Sequence, residues 1–327
     1  MTIVITSEIG GKTIKDFLRR DLQLSSGLIK KLKFRENGIT VNGSHITVRY
    51  TLKEGDVLVL SDEDRKENTS PYITPADLPL NIAFEDSDVT VADKPPAMPA
   101  HPSFSHRGDT VANALAFRYQ DVPYVFRPVN RLDCDTSGLM ITANNHFAAA
   151  RLGKAMIDGR IGKMYIAVLK YAPPEEYGTI DLHMKRCDQS IITRRIASPE
   201  EEGARRAVTV YKKLLTDNDS GETIVLACPV TGRTHQLRVH FTALGCPLIG
   251  DSLYSVADPR IGRHALHAAY TSFPHPRTEK TVHVFSPLAD DIRTLLGEKY
   301  SALAEQAVKE EYCGKLHRLY IEAKKGI

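Results

Sequence analysis

The chain has 327 residues, no tryptophan, only five cysteines and no long apolar run. No uninterrupted apolar stretch approaches the roughly 18 residues that a bilayer demands, so a membrane-spanning helix is not expected. Met1-Thr2-Ile3-Val4 puts no basic segment ahead of an apolar core, and the expected location is therefore the cytoplasm. Cys134, Cys187, Cys228, Cys246 and Cys313 are odd in number, widely spaced and without a CxxC pair. That pattern argues against both a disulfide framework and a zinc site. A glycine-rich nucleotide-binding motif is also missing.

What is present is ordinary in amount and uneven in distribution. Apolar residues make up 42% and charged residues 25% of the chain, which fits a globular protein long enough for about two domains. The net charge is only +3. Between Gly10 and Arg35, however, Lys12, Lys15, Arg19, Arg20, Lys30, Lys31, Lys33 and Arg35 face only Asp16 and Asp21. Such an excess is the footprint of a polyanion partner or, more plainly, a solvated helix face.

Residues 1–62 read as a small module. A helix is predicted from Thr13 to Arg20 and a second from Ser25 to Lys33, followed by strands at Ile39-Thr40-Val41 and Val57-Leu58-Val59-Leu60. Asn42-Gly43 is a hairpin dipeptide, and Glu54-Gly55-Asp56 closes the last turn. In order and spacing these pieces resemble the alpha-L RNA-binding motif of a small-subunit ribosomal protein and of tyrosyl-tRNA synthetases. The resemblance implies RNA contacts from Arg19, Arg20, Lys30, Lys31, Lys33 and Arg35. Ser61 to Pro71 is polar, charge-mixed and without periodicity, so residues 63–76 are assigned to a linker.

From residue 77 to 297, strands outnumber helices. Strands are predicted at Asp88–Ala92, Leu139–Thr142, Tyr165–Leu169, Ala207–Tyr211 and Thr223–Leu226, with a helix from His146 to Ile157. Short connections favour an α+β class: a mixed, mostly antiparallel sheet with flanking helices. Residues 298–327 read as a helical C-terminal extension that carries no motif.

Two stretches can carry chemistry. In Asn130-Arg131-Leu132-Asp133-Cys134-Asp135-Thr136-Ser137-Gly138-Leu139-Met140, an acid and a cation share a turn that enters a buried strand. A carboxylate placed there can be held by neighbours while one oxygen faces a cleft, or can be no more than an ordinary Arg–Asp turn clamp. In Gly232-Arg233-Thr234-His235-Gln236-Leu237-Arg238, Thr234 is the predicted helix cap, and Leu237, Phe241 and Leu244 form the core stripe up to Gly245. His235 and Arg238 then share one face and point into a cleft. His235 and His240 are five apart with no acidic partner at helical spacing, a poor metal set.

Taken jointly, these two stretches, with Phe84 to Pro95, Lys163-Met164-Tyr165-Ile166-Ala167, Gly245 to Tyr254 and Leu266-His267-Ala268, resemble the RluA family of pseudouridine synthases over residues 80–290. The resemblance implies isomerisation of uridine in ribosomal or transfer RNA, without cofactor or metal; a monomer with no obligatory protein partner is the default expectation. It places the catalytic aspartate on Asp133 rather than Asp135, the active-site tyrosine on Tyr165 and the aspartate's arginine on Arg238. Arg131 falls on the base-displacing arginine. Asn130 stands where the family usually has histidine, which bears on how the Arg131 loop docks on RNA; His235 is grouped with these RNA-facing residues. Arg238 is expected to offer Asp133 a bidentate fork. Asp133 then serves as nucleophile or as base. Two other readings are a glycosidase using Asp133 and Asp135, disfavoured by the missing tryptophan platform, and a non-catalytic RNA-binding or ribosome-assembly protein.

Overall fold

The computed structural model of the chain describes residues 1–22, 24–61, 70 and 72–327. Most of the linker assigned to 63–76 lies outside the described residues.

The N-terminal module is a four-stranded antiparallel sheet in the order β1-β4-β2-β3, with β1 at Thr2–Val4, β2 at Ile39–Val41, β3 at Ser44–His45 and β4 at Val57–Leu60. Asn42 and Gly43 both take positive φ, 51° and 82°, which lets two residues join β2 to β3 with the twist the strands require. Asp56 locks the other turn by accepting from Lys53 N, Asn42 Nδ2 and Tyr50 Oη. Ser25 caps helix α2, Ser26–Phe34, by accepting from Leu28 N.

The helix predicted from Thr13 to Arg20 takes a different form. Only Ile14–Asp16, α1, is α-helical, and Phe17–Asp21 follows as a wider π-type turn closed by Leu22 N donating to Phe17 O. The wider coil buries two successive apolar side chains, Phe17 and Leu18, which a regular helix would splay apart. Phe147, from the helix α4 at His146–Ile157, joins this small core.

The large sheet has ten strands in the order β10-β9-β11-β12-β8-β13-β7-β6-β5, with β14 added beside β13. In chain order these are β5 Asn81–Glu85, β6 Val89–Lys94, β7 Ser137–Ala143, β8 Gly162–Leu169 and β9 Tyr177–Arg186. They continue as β10 Arg194–Ala197, β11 Arg205–Thr216, β12 Thr223–Pro229, β13 Leu266–Pro274 and β14 Thr281–Phe285. All pairings are antiparallel except β7 with β13. The class is α+β, as the sequence implied.

The period of two in β8 decides what lies where. Met164, Ile166 and Val168 face one core, shared with Ala304, Val308, Leu316 and Tyr320 of the C-terminal helices α6, Asp290–Glu311, and α7, Lys315–Lys325. Tyr165, Ala167 and Leu169 face the other, shared with Leu237 and Phe241 of α5, Gln236–Ala243. The segment 298–327 is thus part of the main core. Each of its fully buried apolar side chains contributes roughly 1.5–3 kcal/mol. A further helix, α3 at Val111–Arg118, covers β6 through Val111, Ala112 and Leu115. Among the described residues no helix is long and apolar enough to cross a membrane.

Candidate active site

The site forms where the loop entering β7 meets α5 and Tyr165 of β8. Leu132 is buried against Tyr165, Leu237 and Leu266. With that anchor inward, Arg131 is exposed and Asp133 is half-buried. One cleft is lined by Arg131, Asp133, Lys163, Tyr165, His235 and Arg238.

The loop is gripped from behind through its backbone. Lys94 Nζ donates to Cys134 O at 2.7 Å and to Pro95 O at 2.8 Å, and Arg263 Nη1 donates to Asp135 O at 2.8 Å. Arg263 is itself held by both oxygens of Asp291, at 2.6 and 2.8 Å. Burial lowers Lys94 to about 8. Gly138 completes the mount: its φ is 104°, and a Cβ there would lie 2.3 Å from Ala268 O, where β7 meets β13 in parallel. Only glycine allows that approach.

Arg238 is buried, but its fork does not go to Asp133. Nε and Nη2 donate to Asp251 Oδ2 and Oδ1 at 2.8 and 2.7 Å, whereas Nη1 stands 3.6 Å from Asp133 Oδ2. The bidentate bond expected for Asp133 is therefore made by Asp251, brought in by the turn at Gly250. Burial opposes charge on both members of that pair, and their mutual hydrogen bonds outweigh it: Arg238 is raised and Asp251 lowered. His235 Nε2 lies 3.8 Å from the same Asp133 Oδ2. Both approaches converge on Oδ2. Tyr165 is buried, and its phenol is raised, first by burial and then by the charge of Asp133. It remains protonated at neutral pH.

The start of α5 differs from expectation. Thr234 does not cap it; His235 occupies the cap position in the left-handed region, φ 58°, with no side-chain capping bond. Gln236 anchors the helix instead, accepting from Thr231 Oγ1 and Arg233 N and donating to Val208 O and Thr209 Oγ1. His240 lies beneath the helix on Thr209 Oγ1, away from His235, so the two do not share a site. Asn130 accepts from Ile141 N at 2.7 Å through its side-chain oxygen, which ties the Arg131 loop to β7. Asp135 is exposed; it does not line the cleft that holds Tyr165 but shares an adjacent pocket with Asp133 and Asp251.

Arg19, Arg20, Lys30, Lys31 and Lys33 are exposed on the N-terminal module and Arg35 is half-exposed. They stand apart from the cleft lining. Asp86, Asp88 and His275 come within metal-binding reach of one another, but Arg277 and Asn145 already occupy Asp88, and His275 bonds Asp86. Sequence reasoning assigned no role to Asp251, Tyr254, Lys94, Arg263 or Lys163. Asp251 stood in a recognisable Gly250-Asp251 turn, yet nothing local linked it to Arg238.

With that geometry in view, the comparisons with known proteins agree. The RNA pseudouridylate synthase family model matches residues 88–243. YjbO of Bacillus subtilis, described as an uncharacterized RNA pseudouridine synthase, is 36% identical over 291 residues, covering 88% of this chain and all of that protein. Ribosomal large subunit pseudouridine synthase D of Borreliella burgdorferi is 33% identical, covering 75% of this chain and 78% of its own. Among solved structures, human RNA pseudouridylate synthase domain containing 1 superposes with a TM-score of 0.53 at 29% identity, over 64% of this chain and 83% of that one. The chain belongs to the RluA family of RNA pseudouridine synthases and is an isomerase acting on RNA.

Proposed function

We propose that the chain converts a uridine of ribosomal RNA to pseudouridine in the cleft between Asp133, Tyr165 and Arg238. The observation that carries this reading is the convergence of Arg238 and His235 on one oxygen of Asp133 at a cleft that also holds Tyr165. A nucleophile and a base at this position both need a carboxylate within reach of the nucleotide. The bond between uracil N1 and ribose C1′ breaks, the base turns in place, C5 bonds to C1′, the C5 proton leaves to solvent and N1 takes up a proton in its place. Atoms balance within the nucleotide, so the reaction draws on no cofactor. Tyr165 supplies an aromatic face for the turning uracil.

A stacked uridine cannot reach Asp133, and its extrusion costs a few kcal/mol. Arg131, exposed at the rim, fills the vacancy: its flat guanidinium stacks on bases and bonds phosphate. The exposed cations of the N-terminal module, in the arrangement of an alpha-L domain, track the RNA backbone. Ribosomal RNA is favoured because that module resembles one from a ribosomal protein, and because the name of the Borreliella burgdorferi relative refers to the large ribosomal subunit.

Mapping pseudouridines in total RNA from cells with and without the gene tests the target. Loss confined to ribosomal RNA is expected. Loss only in transfer RNA would move the substrate to that class, and an unchanged map would contradict the proposal.

A further inference from the structure

His235 is placed in the left-handed region although it has a Cβ, and backbone strain of this kind persists only where surroundings enforce it. What enforces it here is a chain of polar contacts. The backbone N–H of Arg194, on β10, donates to Tyr254 Oη at 2.8 Å, and Tyr254 Oη lies 2.8 Å from His235 Nδ1. The Tyr254 ring also meets the imidazole edge-on at 5.6 Å and stacks 5.0 Å from the Arg238 guanidinium. One tyrosine therefore touches both groups that approach Asp133 Oδ2.

The directions of these bonds select one form of the imidazole. Burial lowers His235 below its usual range, so the ring is neutral and carries one proton. Tyr254 Oη receives Arg194 N–H, and a hydroxyl that accepts one bond here and donates its own hydrogen to the imidazole points that hydrogen at Nδ1. The ring proton then sits on Nε2, 3.8 Å from Asp133 Oδ2. The other tautomer would turn a lone pair toward the carboxylate. A movement of under about 1 Å closes the favourable contact into a hydrogen bond, as active-site contacts tighten when substrate binds.

We propose that Tyr254 is a positioning residue: its hydroxyl fixes the His235 tautomer that presents Nε2–H to Asp133 and holds Oδ2 away from the nucleotide. This rests on the reading that Asp133 is the reacting carboxylate. Tyr254 touches no reacting atom and acts through His235. It also links the β9–β10 hairpin, through Arg194, to the carboxylate.

Nitrogen-15 spectra of the full chain labelled at histidine test the tautomer directly. A bare Nδ1 and a protonated Nε2 at His235 are expected in the wild type; a protonated Nδ1 would overturn the proposal, whatever the role of Asp133. Tyr254→Phe keeps the ring contacts and should mix the tautomers, lowering kcat about tenfold with KM for RNA within about twofold. In a His235→Gln background, whose amide N–H stands in for Nε2–H, Tyr254→Phe should cost nothing further. Wild-type kcat in Tyr254→Phe, or an equal loss in both backgrounds, would reduce Tyr254 to a packing residue. An Asp133→Asn variant that still turns over would instead remove the reading beneath it and leave the spectra unaffected.

Discussion

The charges of the N-terminal module and those around Asp133 follow opposite rules. On the module, Lys15, Arg19, Lys30, Lys31 and Lys33 are exposed, and none forms an ion pair among the described residues. In solvent such charges are screened over about 8 Å at physiological salt, so they serve long-range attraction to a polyanion. Around the cleft, Arg238, Lys94 and Arg263 are buried, and every one has its donors aimed at a named oxygen. Those charges hold geometry. One region supplies affinity and the other placement, and the two should fail in different ways.

The largest break comes from the buried side. Asp251→Ala leaves the desolvated Arg238 guanidinium with only its 3.6 Å approach to Asp133 as an ion pair, which costs about 3–5 kcal/mol of stability, measured as a drop in the midpoint of urea unfolding. Replacing both partners by apolar residues, Arg238→Met with Asp251→Leu, should recover most of that stability, because a buried ion pair exchanges with well-packed apolar groups at little cost. Turnover should not recover with it. A double variant as active as wild type would show that the pair serves the fold alone.

A smaller and different effect is expected from the module. Lys30→Gln, Lys31→Gln and Lys33→Gln together should weaken RNA binding more at low salt than at high salt, lowering the slope of log affinity against log salt by about 2 to 3. The change should appear in KM while kcat is retained. An equal loss at every salt concentration would mean that these lysines act through packing.

Which parts were legible in the sequence follows the same division. The turn holding Arg131 and Asp133 and the strand it enters could be read because they are adjacent in the chain, whereas Leu132, which anchors the turn, was not singled out. Strands β7, β8, β11 and β12 were visible as apolar runs. Strand β9 carries the other strand signature, Ile180, Leu182 and Met184 alternating with Asp181, His183 and Lys185, and was not read because it is no apolar run. The α5 core stripe, through Leu237 and Phe241, was read correctly, whereas its cap was not: Gln236 anchors the entry through β11, a contact that no local pattern records. Nor could the partner of Arg238 be found, because Asp251 lies thirteen residues on and reaches it only through the fold. The π-type turn at Phe17 was hidden for a related reason. Two neighbouring apolar residues suggest a helix edge, and only the surrounding core shows that both go inside.

The central claim is that one half-buried carboxylate does the chemistry while the rest of the molecule delivers RNA to it. Asp133→Asn, compared with wild type by tritium release from RNA labelled at uracil C5, tests this most directly when paired with a binding measurement on the same RNA. Turnover should fall by at least about a thousandfold with RNA affinity close to normal; tritium release at the wild-type rate would contradict the account.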